Sequence, residues 1–295
     1  MSLADSVVYQ ICPKSFRGSS GDGVGDLRGI IEKVDYIASL GVDHVWFNNH
    51  TSTEHKWFQR ALAGDPVYQY LLSPKEDGSL PTNWVSKFGG PAWAPFGDTG
   101  LYYLCLYDRT QADLNWHNPA VRAQAAGIVN FWRERGVRGF RFDVINLIGK
   151  DEELRDAPPG TDDRAMYTDG PLVHDYLREL AAASFGADEA GITVGEMSST
   201  TIEACVGYSR PENHELSMVF SFHHLKVDYD QGRKWTDVPA DLPALKRILS
   251  DWALGMQEGG GWNALFWNNH DQPRAINRFG DPGRYRAESA TMLAT

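Results

Sequence analysis

Short apolar runs alternate with amphipathic helical stretches along most of the chain, and this rhythm limits the possible folds more than any other feature. Ser6-Val7-Val8-Tyr9-Gln10-Ile11 reads as a strand. Leu27, Ile30, Ile31, Val34, Ile37 and Leu40 follow at helical spacing, and Gly41 stops that helix. Val42 to Phe47 reads as the next strand. Further on, Asn118-Pro119 forms an N-cap and first-turn pair ahead of the apolar stripe Val121, Ile128, Val129 and Trp132, which Gly136 ends. Strands follow at Val137 to Val144, Ile192 to Gly195, Leu216 to Phe222 and Ala264 to Trp267. Helical patterns separate them at Leu172, Val173, Tyr176, Leu177 and Leu180, and at Leu242, Leu245, Ile248, Leu249 and Trp252; another runs from Tyr285 to Ala294. Alternation of this kind predicts a parallel sheet with helices outside it. The expected fold class is α/β, a (β/α)₈ TIM barrel.

Residues 51–111 break the rhythm. They are rich in aromatics, Gly and Pro, and read as a small inserted subdomain B after the third strand. The barrel is then expected to comprise 1–50 and 112–295. Only six strands can be counted, fewer than a closed barrel of this type needs. Val45-Trp46-Phe47-Asn48-Asn49-His50 begins like one strand and ends like the exit of a later one.

The net charge of −11 repels nucleic acid and anionic membranes, so an anionic substrate needs a local basic pocket. No apolar run reaches the roughly 18 residues of a membrane helix, and the N-terminus carries no signal-peptide pattern. Cys12, Cys105 and Cys205 are odd in number and widely spaced, which fits reduced core thiols rather than a disulfide framework or a zinc site. A cytoplasmic location is expected.

Hydrolysis of a glycoside with retention needs two carboxyl groups about 5–5.5 Å apart. In a barrel, such groups stand at the C-terminal ends of different strands. Three acids occupy such positions: Asp143 in Gly139-Phe140-Arg141-Phe142-Asp143, Glu196 in Thr193-Val194-Gly195-Glu196, and Asp271 in Asn268-Asn269-His270-Asp271. Any one alone reads more readily as a solvated turn residue; three together, two of them beside Arg or His, point to an acid–base site.

These segments resemble the α-amylase superfamily in its order. Gly139 to Asp143 is similar to the nucleophile segment, Gly195-Glu196-Met197 to the acid/base segment of the α-glucosidase branch, and Asn269-His270-Asp271-Gln272-Pro273-Arg274 to the segment with the third carboxylate. Asn49-His50-Thr51-Ser52 resembles the segment with a substrate-binding histidine, and Gln111-Ala112-Asp113-Leu114-Asn115 the auxiliary segment after the insertion. The resemblance implies Asp143 as nucleophile, kept ionised by Arg141, Glu196 as general acid/base, and Asp271 as transition-state stabiliser. It implies His50, His270, Arg141 and Arg274 as substrate contacts.

The linking segments refine this. Tyr167-Thr168-Asp169-Gly170-Pro171, Gly195 to Thr201 and Phe222-His223-His224-Leu225-Lys226-Val227-Asp228-Tyr229 resemble the trehalose-6-phosphate-cleaving members of the family. Oligo-1,6-glucosidases read Phe-Glu-His-Met-Asp at the third, so two acids there are replaced by His223 and Lys226. A phosphorylated sugar carries roughly −1.5 to −2 charges at neutral pH. Lys226, with His223 and His224 beside it, and Lys150 are the expected phosphate contacts. The implied partner is thus a sugar phosphate.

No cofactor is required by this chemistry. The loop of residues 18–26 resembles the divalent-metal loop of these glucosidases, with Asp22, Val24 and Asp26 as ligands for structural Ca²⁺ or Mg²⁺. Gly18 stands there in place of an Asp, and Ser20 in place of an Asn. The chain also appears short of part of the second-to-third strand region, the eighth strand and the C-terminal β-domain of the family. Three readings stay open beside the phosphate one: a neutral α-1,6 or α-1,4 glucosidase, a transglucosylating isomerase, and a non-enzymatic barrel like transporter heavy chains. The carboxylate set and the missing membrane segment oppose the last.

Overall fold

The computed structural model describes residues 17–21, 28–29, 32–33, 51–65, 71–72, 74–75, 77–187, 191–234, 236–267, 269, 271–273 and 275–279. The strands read at 6–11 and 42–47, the helix of 285–294 and most of the helix of 27–40 lie outside these residues.

The inserted segment begins with β1 (Thr51–Ser52) and α1 (Lys56–Leu62). It continues through β2 (Leu71–Leu72), β3 (Trp93–Pro95) and β4 (Tyr102–Leu104), an antiparallel sheet with β4 in the middle. Pro95 sits on an outer strand of that sheet, where a missing N–H costs no ladder bond. β5 (Gln111–Ala112) then pairs antiparallel with β1, so the segment's two ends leave side by side. Phe58, Phe96 and Tyr103 pack edge to face, with Phe58 centroids 5.2 and 5.0 Å from the other two. A second cluster joins the segment to the rest of the chain: Trp84, Trp93, Leu104 and Leu106 pack with Val144, Leu147 and Tyr167. The Trp84 indole N–H also donates to the Arg155 carbonyl at 2.9 Å.

The regular part follows. Helix α2 (Pro119–Arg133) starts as its sequence predicts. The Asn118 carboxamide oxygen accepts from the Ala120 N–H at 2.9 Å, and Pro119 takes a position whose N–H needs no partner. Beyond the helix Gly136 turns the chain at φ 91°, a conformation that favours glycine. Then come β6 (Gly139–Phe142), α3 (Val173–Ala183), β7 (Ile192–Glu196), α4 (Ile202–Ser209), β8 (Met218–Phe220), α5 (Leu242–Glu258) and α6 (Ala275–Phe279). Thr201 caps α4 and Asp241 caps α5 through their side-chain oxygens.

Strands β6, β7 and β8 are parallel neighbours in that order, with Arg141 opposite Val194 and Val194 opposite Met218. Alternation along a strand sends successive side chains to opposite faces. On one face Phe140, Met197 and Val219 join Leu177 of α3, Cys205 of α4, and Trp252 and Met256 of α5 in the largest core cluster. On the other, Ile192, Val194 and Met218 pack with Phe220 and Ala264. Arg141 and Glu196 share the phase of this second, helix-free face. The segment expected as strand Ala264 to Trp267 makes only a single parallel bridge, Val219 to Asn263. Helix α4 was not readable from periodicity because it is buried nearly all round, at Cys205, Val206, Tyr208 and Ser209. Among the described residues no helix is long and apolar enough to cross a membrane.

The turn behind β6 is set by two glycines. A Cβ on Gly170 would lie 2.2 Å from the Gly149 carbonyl oxygen, a backbone atom that cannot rotate away. Gly170→Ala is therefore expected to destabilise the protein by about 1–3 kcal/mol or more. Leu254→Ala, at a side chain 58% exposed, should stay within about 0.5 kcal/mol. Urea midpoints of the two variants check this; equal midpoints would refute the close-approach argument.

Candidate active site

Parallel register brings two of the three acids together. Phe142 faces Gly195, so Asp143, one residue further, stands beside Glu196 at the end of β7. Arg141 lies between them. One guanidinium nitrogen, Nη1, pairs with the Asp143 carboxylate, and the other, Nη2, with that of Glu196. A single guanidinium thus engages both carboxylates and holds them side by side. Glu196, 4% exposed, and Arg141, 9% exposed, are buried, and Asp143 is half-buried. Burial pushes the Arg141 guanidinium below its usual range, and the charges of Asp143 and Asp271 and the Tyr107 phenol act against that shift.

Asp271 completes the group differently. It is exposed, in the turn after the Asn263 bridge, and its N–H donates to the Asn269 carboxamide oxygen at 3.0 Å. Its charge reaches Arg141 from the mouth of the site rather than from its floor.

The backbone leaving each strand is fixed at an unusual place. Val144, directly after Asp143, has φ 35°, and Ser199, three residues after Glu196, has φ 51°. A β-branched residue in the left-handed region is strained, and surrounding contacts must over-determine it. Asn146, fully buried, supplies those contacts. Its carboxamide NH₂ donates to the Ser198 carbonyl at 2.8 Å and its oxygen accepts from the Ser198 N–H at 3.0 Å. The same NH₂ donates to Asp169 at 2.9 Å, which also accepts from the Tyr208 hydroxyl at 2.7 Å. Asn146 and Ser198 were not singled out in the sequence. Their proximity to the two strand ends in sequence is the only signal that marked them.

A basic group lies alongside. The Lys226 side chain is exposed in the turn after β8, with Arg164, Asp162 and Lys234 acting on its charge. Lys87, from the inserted segment, donates to the Ser198 hydroxyl at 2.7 Å and lies 5.4 Å over the Tyr167 ring. Nothing in its local sequence signalled this position.

Three of the expected phosphate contacts are otherwise engaged. Lys150 is buried, ion-paired with Asp113 at 3.0 Å and donating to the Leu147 carbonyl at 2.6 Å, so its charge is already neutralised. His224 donates its Nε2–H to the Phe266 carbonyl at 2.7 Å, and burial lowers its pKa. His223 stacks on Trp252 with centroids 4.8 Å apart, and burial drives its pKa down to about 4. Both imidazoles are therefore neutral at pH 7, and the expectation that they add positive charge is corrected by their desolvation. His50, His270 and Arg274 lie outside the described residues, as do Asp22, Val24 and Asp26 of the metal loop. Cys105 and Cys205 are free and buried, with thiols pushed up to about 11 and about 12.

Comparison with known proteins adds three findings. The alpha-amylase family (alpha amylase, catalytic domain) matches residues 10–48 and 47–295. A trehalose-6-phosphate hydrolase of Bacillus subtilis is 48% identical over 344 residues, covering 98% of this chain and 61% of that protein. An oligo-1,6-glucosidase of Parageobacillus thermoglucosidasius is 40% identical over 349 residues, covering 99% and 62%. The crystal structure of the Bacillus licheniformis trehalose-6-phosphate hydrolase superposes with a TM-score of 0.89 at 46% identity, over 98% of this chain and 61% of that one. This chain thus spans about three fifths of its relatives' length. Both alignments run longer than its 295 residues, and the family match breaks at residues 47–48, where the two strand signatures were seen to merge.

Removing Arg141 leaves the Asp143 and Glu196 carboxyl groups side by side without the cation they share. Arg141→Leu is expected to cost about 3–5 kcal/mol of stability at neutral pH. Adding Glu196→Gln should recover at least about 1 kcal/mol, because the pair couples the two positions. Chemical denaturation of the single and double variants measures this, and strictly additive losses would remove the ion pair from its holding role.

Proposed function

This chain belongs to the alpha-amylase family, and we propose that it forms the catalytic part of a retaining α-glucosidase acting on trehalose 6-phosphate. Its fold class is the α/β barrel of that family, represented here by the parallel run β6–β8 and the helices packed on it. The observation that carries the reaction is the Arg141 guanidinium spanning Asp143 and Glu196.

In this reading Asp143 attacks the anomeric carbon of the unmodified glucose while Glu196 protonates the bridging oxygen, and glucose 6-phosphate leaves. Glu196, now a carboxylate, takes a proton from water, which attacks the same carbon, frees glucose and restores Asp143. Arg141 pairs with Asp143 and keeps both carboxylates in register. Asp271 faces the positive charge that develops on the sugar ring. His50, His270 and Arg274 hydrogen-bond the glucose hydroxyls. Both steps use the chain's own carboxylates, so no cofactor enters them; a structural cation in the 18–26 loop would rest on Asp22, Val24 and Asp26.

The substrate assignment is supported by the order of the relatives, 48% for the phosphate-cleaving enzyme against 40% for the neutral glucosidase. Lys226 supports it chemically, being an exposed cation one turn beyond β8 where the neutral-substrate pattern carries an acid. The neutral glucosidase remains the second reading because its relative aligns over the same stretch. The −11 net charge disfavours an anionic substrate except beside a local basic group, which Lys226 supplies, and a cytoplasmic location is part of the same proposal.

A product assay on the full-length protein decides between the readings. Trehalose 6-phosphate should yield equal amounts of glucose and glucose 6-phosphate, far faster than isomaltose or trehalose is cleaved. Faster isomaltose cleavage would overturn the substrate assignment. Lys226→Ala should raise KM for the phosphorylated substrate about ten-fold or more, with a smaller effect on kcat. An equal loss on neutral p-nitrophenyl α-glucoside would take Lys226 out of the phosphate role.

A further inference from the structure

We propose that Lys87, carried by the inserted segment, is a second phosphate-binding arm opposite Lys226 and a determinant of the preference for a phosphorylated leaving sugar. This rests on the reading that the substrate is a sugar phosphate. The geometry starts from Ser198. Glu196 must touch the oxygen that joins the two sugars, so the leaving sugar lies on the Glu196 side of the site. Ser198 is two residues beyond Glu196, and Lys87 donates to its hydroxyl at 2.7 Å. Asn146 clamps the Ser198 backbone from below through two hydrogen bonds, so Lys87 is tied to a rigid point. The Tyr167 ring, 5.4 Å from the ammonium, supports its other side. An ammonium carries three N–H donors, and Ser198 takes one of them.

The surroundings explain what such a lysine does. Lys87 comes from the inserted segment, Arg164 from the connection between β6 and α3, and Lys226 from the turn after β8. Three separate elements thus place cations where they repel one another. Arg164 is paired with Asp162 at 2.7 Å, and Asp162 and Asp163 are the acids that also face Lys87. Asp163 already accepts the Val85 N–H at 2.6 Å. Gathering like charges in a half-buried place is unfavourable unless an anion joins them. A phosphate dianion fits between Lys87 and Lys226 by charge, and a neutral sugar gains nothing from either.

Burial, with repulsion from Arg164 and Lys226, brings the Lys87 ammonium down to about 8, while Asp162 and Asp163 act against this. Its charge is therefore complete well below that pH and fades as pH rises through it. A sugar phosphate stays dianionic over this range, since its second pKa lies near 6. A change in preference there reports on the protein.

The test compares kcat/KM for trehalose 6-phosphate and for neutral p-nitrophenyl α-glucoside in the full-length protein, from about pH 6.5 to about pH 9.5. In the unaltered protein, the ratio of the two values should fall above about pH 8. Lys87→Arg keeps its charge throughout and should flatten that fall. Lys87→Met should lower the ratio about ten- to a hundred-fold at neutral pH, mainly through KM for the phosphorylated substrate. If Lys87→Met reduces both substrates equally, or leaves the ratio and its pH dependence unchanged, Lys87 is a packing residue and the proposal falls. If the unaltered protein shows no preference for the phosphorylated substrate, the underlying function fails first, and that result is separable from the other two.

Discussion

The guanidinium of Arg141 is the contact on which the site depends. Two carboxylates at adjacent strand ends repel one another in a place that water hardly enters, with Glu196 4% exposed. Without a cation between them, one would take up a proton or the strands would part. Arg141 prevents both because its fork has two nitrogens and the β6–β7 register aims one at each acid. A lysine at the same position offers a single point of charge and could not fix the relative orientation of the pair. The chemistry proposed here needs the two acids to play different parts, and the guanidinium keeps them apart by giving each its own nitrogen.

Strand ends were legible in the sequence because they combine two independent signals, an apolar run and an acid directly after it. This is why Asp143 and Glu196 were placed at adjacent strand ends, while the Asn118-Pro119 start of α2 was legible from its cap and first-turn proline. The side chains that were misjudged share one cause. His223, His224 and Lys150 were read by type, as potential cations, but charge depends on solvation and partners that a sequence does not display. His223 stacks on Trp252 and loses its proton; Lys150 spends its charge on Asp113. Lys87 escaped notice for a different reason. Its partner Ser198 is 111 positions away, and the insertion that carries it has no periodicity from which a direction could be inferred.

The inserted segment is therefore more than a connector between barrel units. Its Trp84 and Trp93 pack against Tyr167 and against Val144, which stands just beyond β6. Val144 at φ 35° is the residue that re-aims the chain after Asp143, so packing from the insertion helps to hold the strained turn closed. The same segment sends Lys87 to Ser198, just beyond Glu196. Both strand exits are thus braced by one inserted element, and Asn146 links them by tying the β6 exit to the Ser198 backbone. Distance between the carboxylates is set by Arg141; the stiffness of that distance is set by this brace.

The remaining weak flank is the other side of β6. Among the described residues, β6 pairs with β7 alone, and beside it runs an apolar groove lined by Trp57, Trp116, Trp132, Phe140 and Phe142. Ile128 and Phe131 of α2 are exposed nearby. An apolar groove of this kind is where a neighbouring element packs. The family match breaks at residues 47–48, and the alignments to relatives exceed the chain's own length, which places the extra residues of those relatives just before His50 and Thr51. Among the described residues, β6 is anchored through β7 and through the insertion, so loosening on the groove side would move Asp143 and Arg141 together relative to Glu196, which stands between β6 and β8. The polar geometry of the site is thus complete on the β7 side, and its precision on the β6 side is governed by what fills the groove.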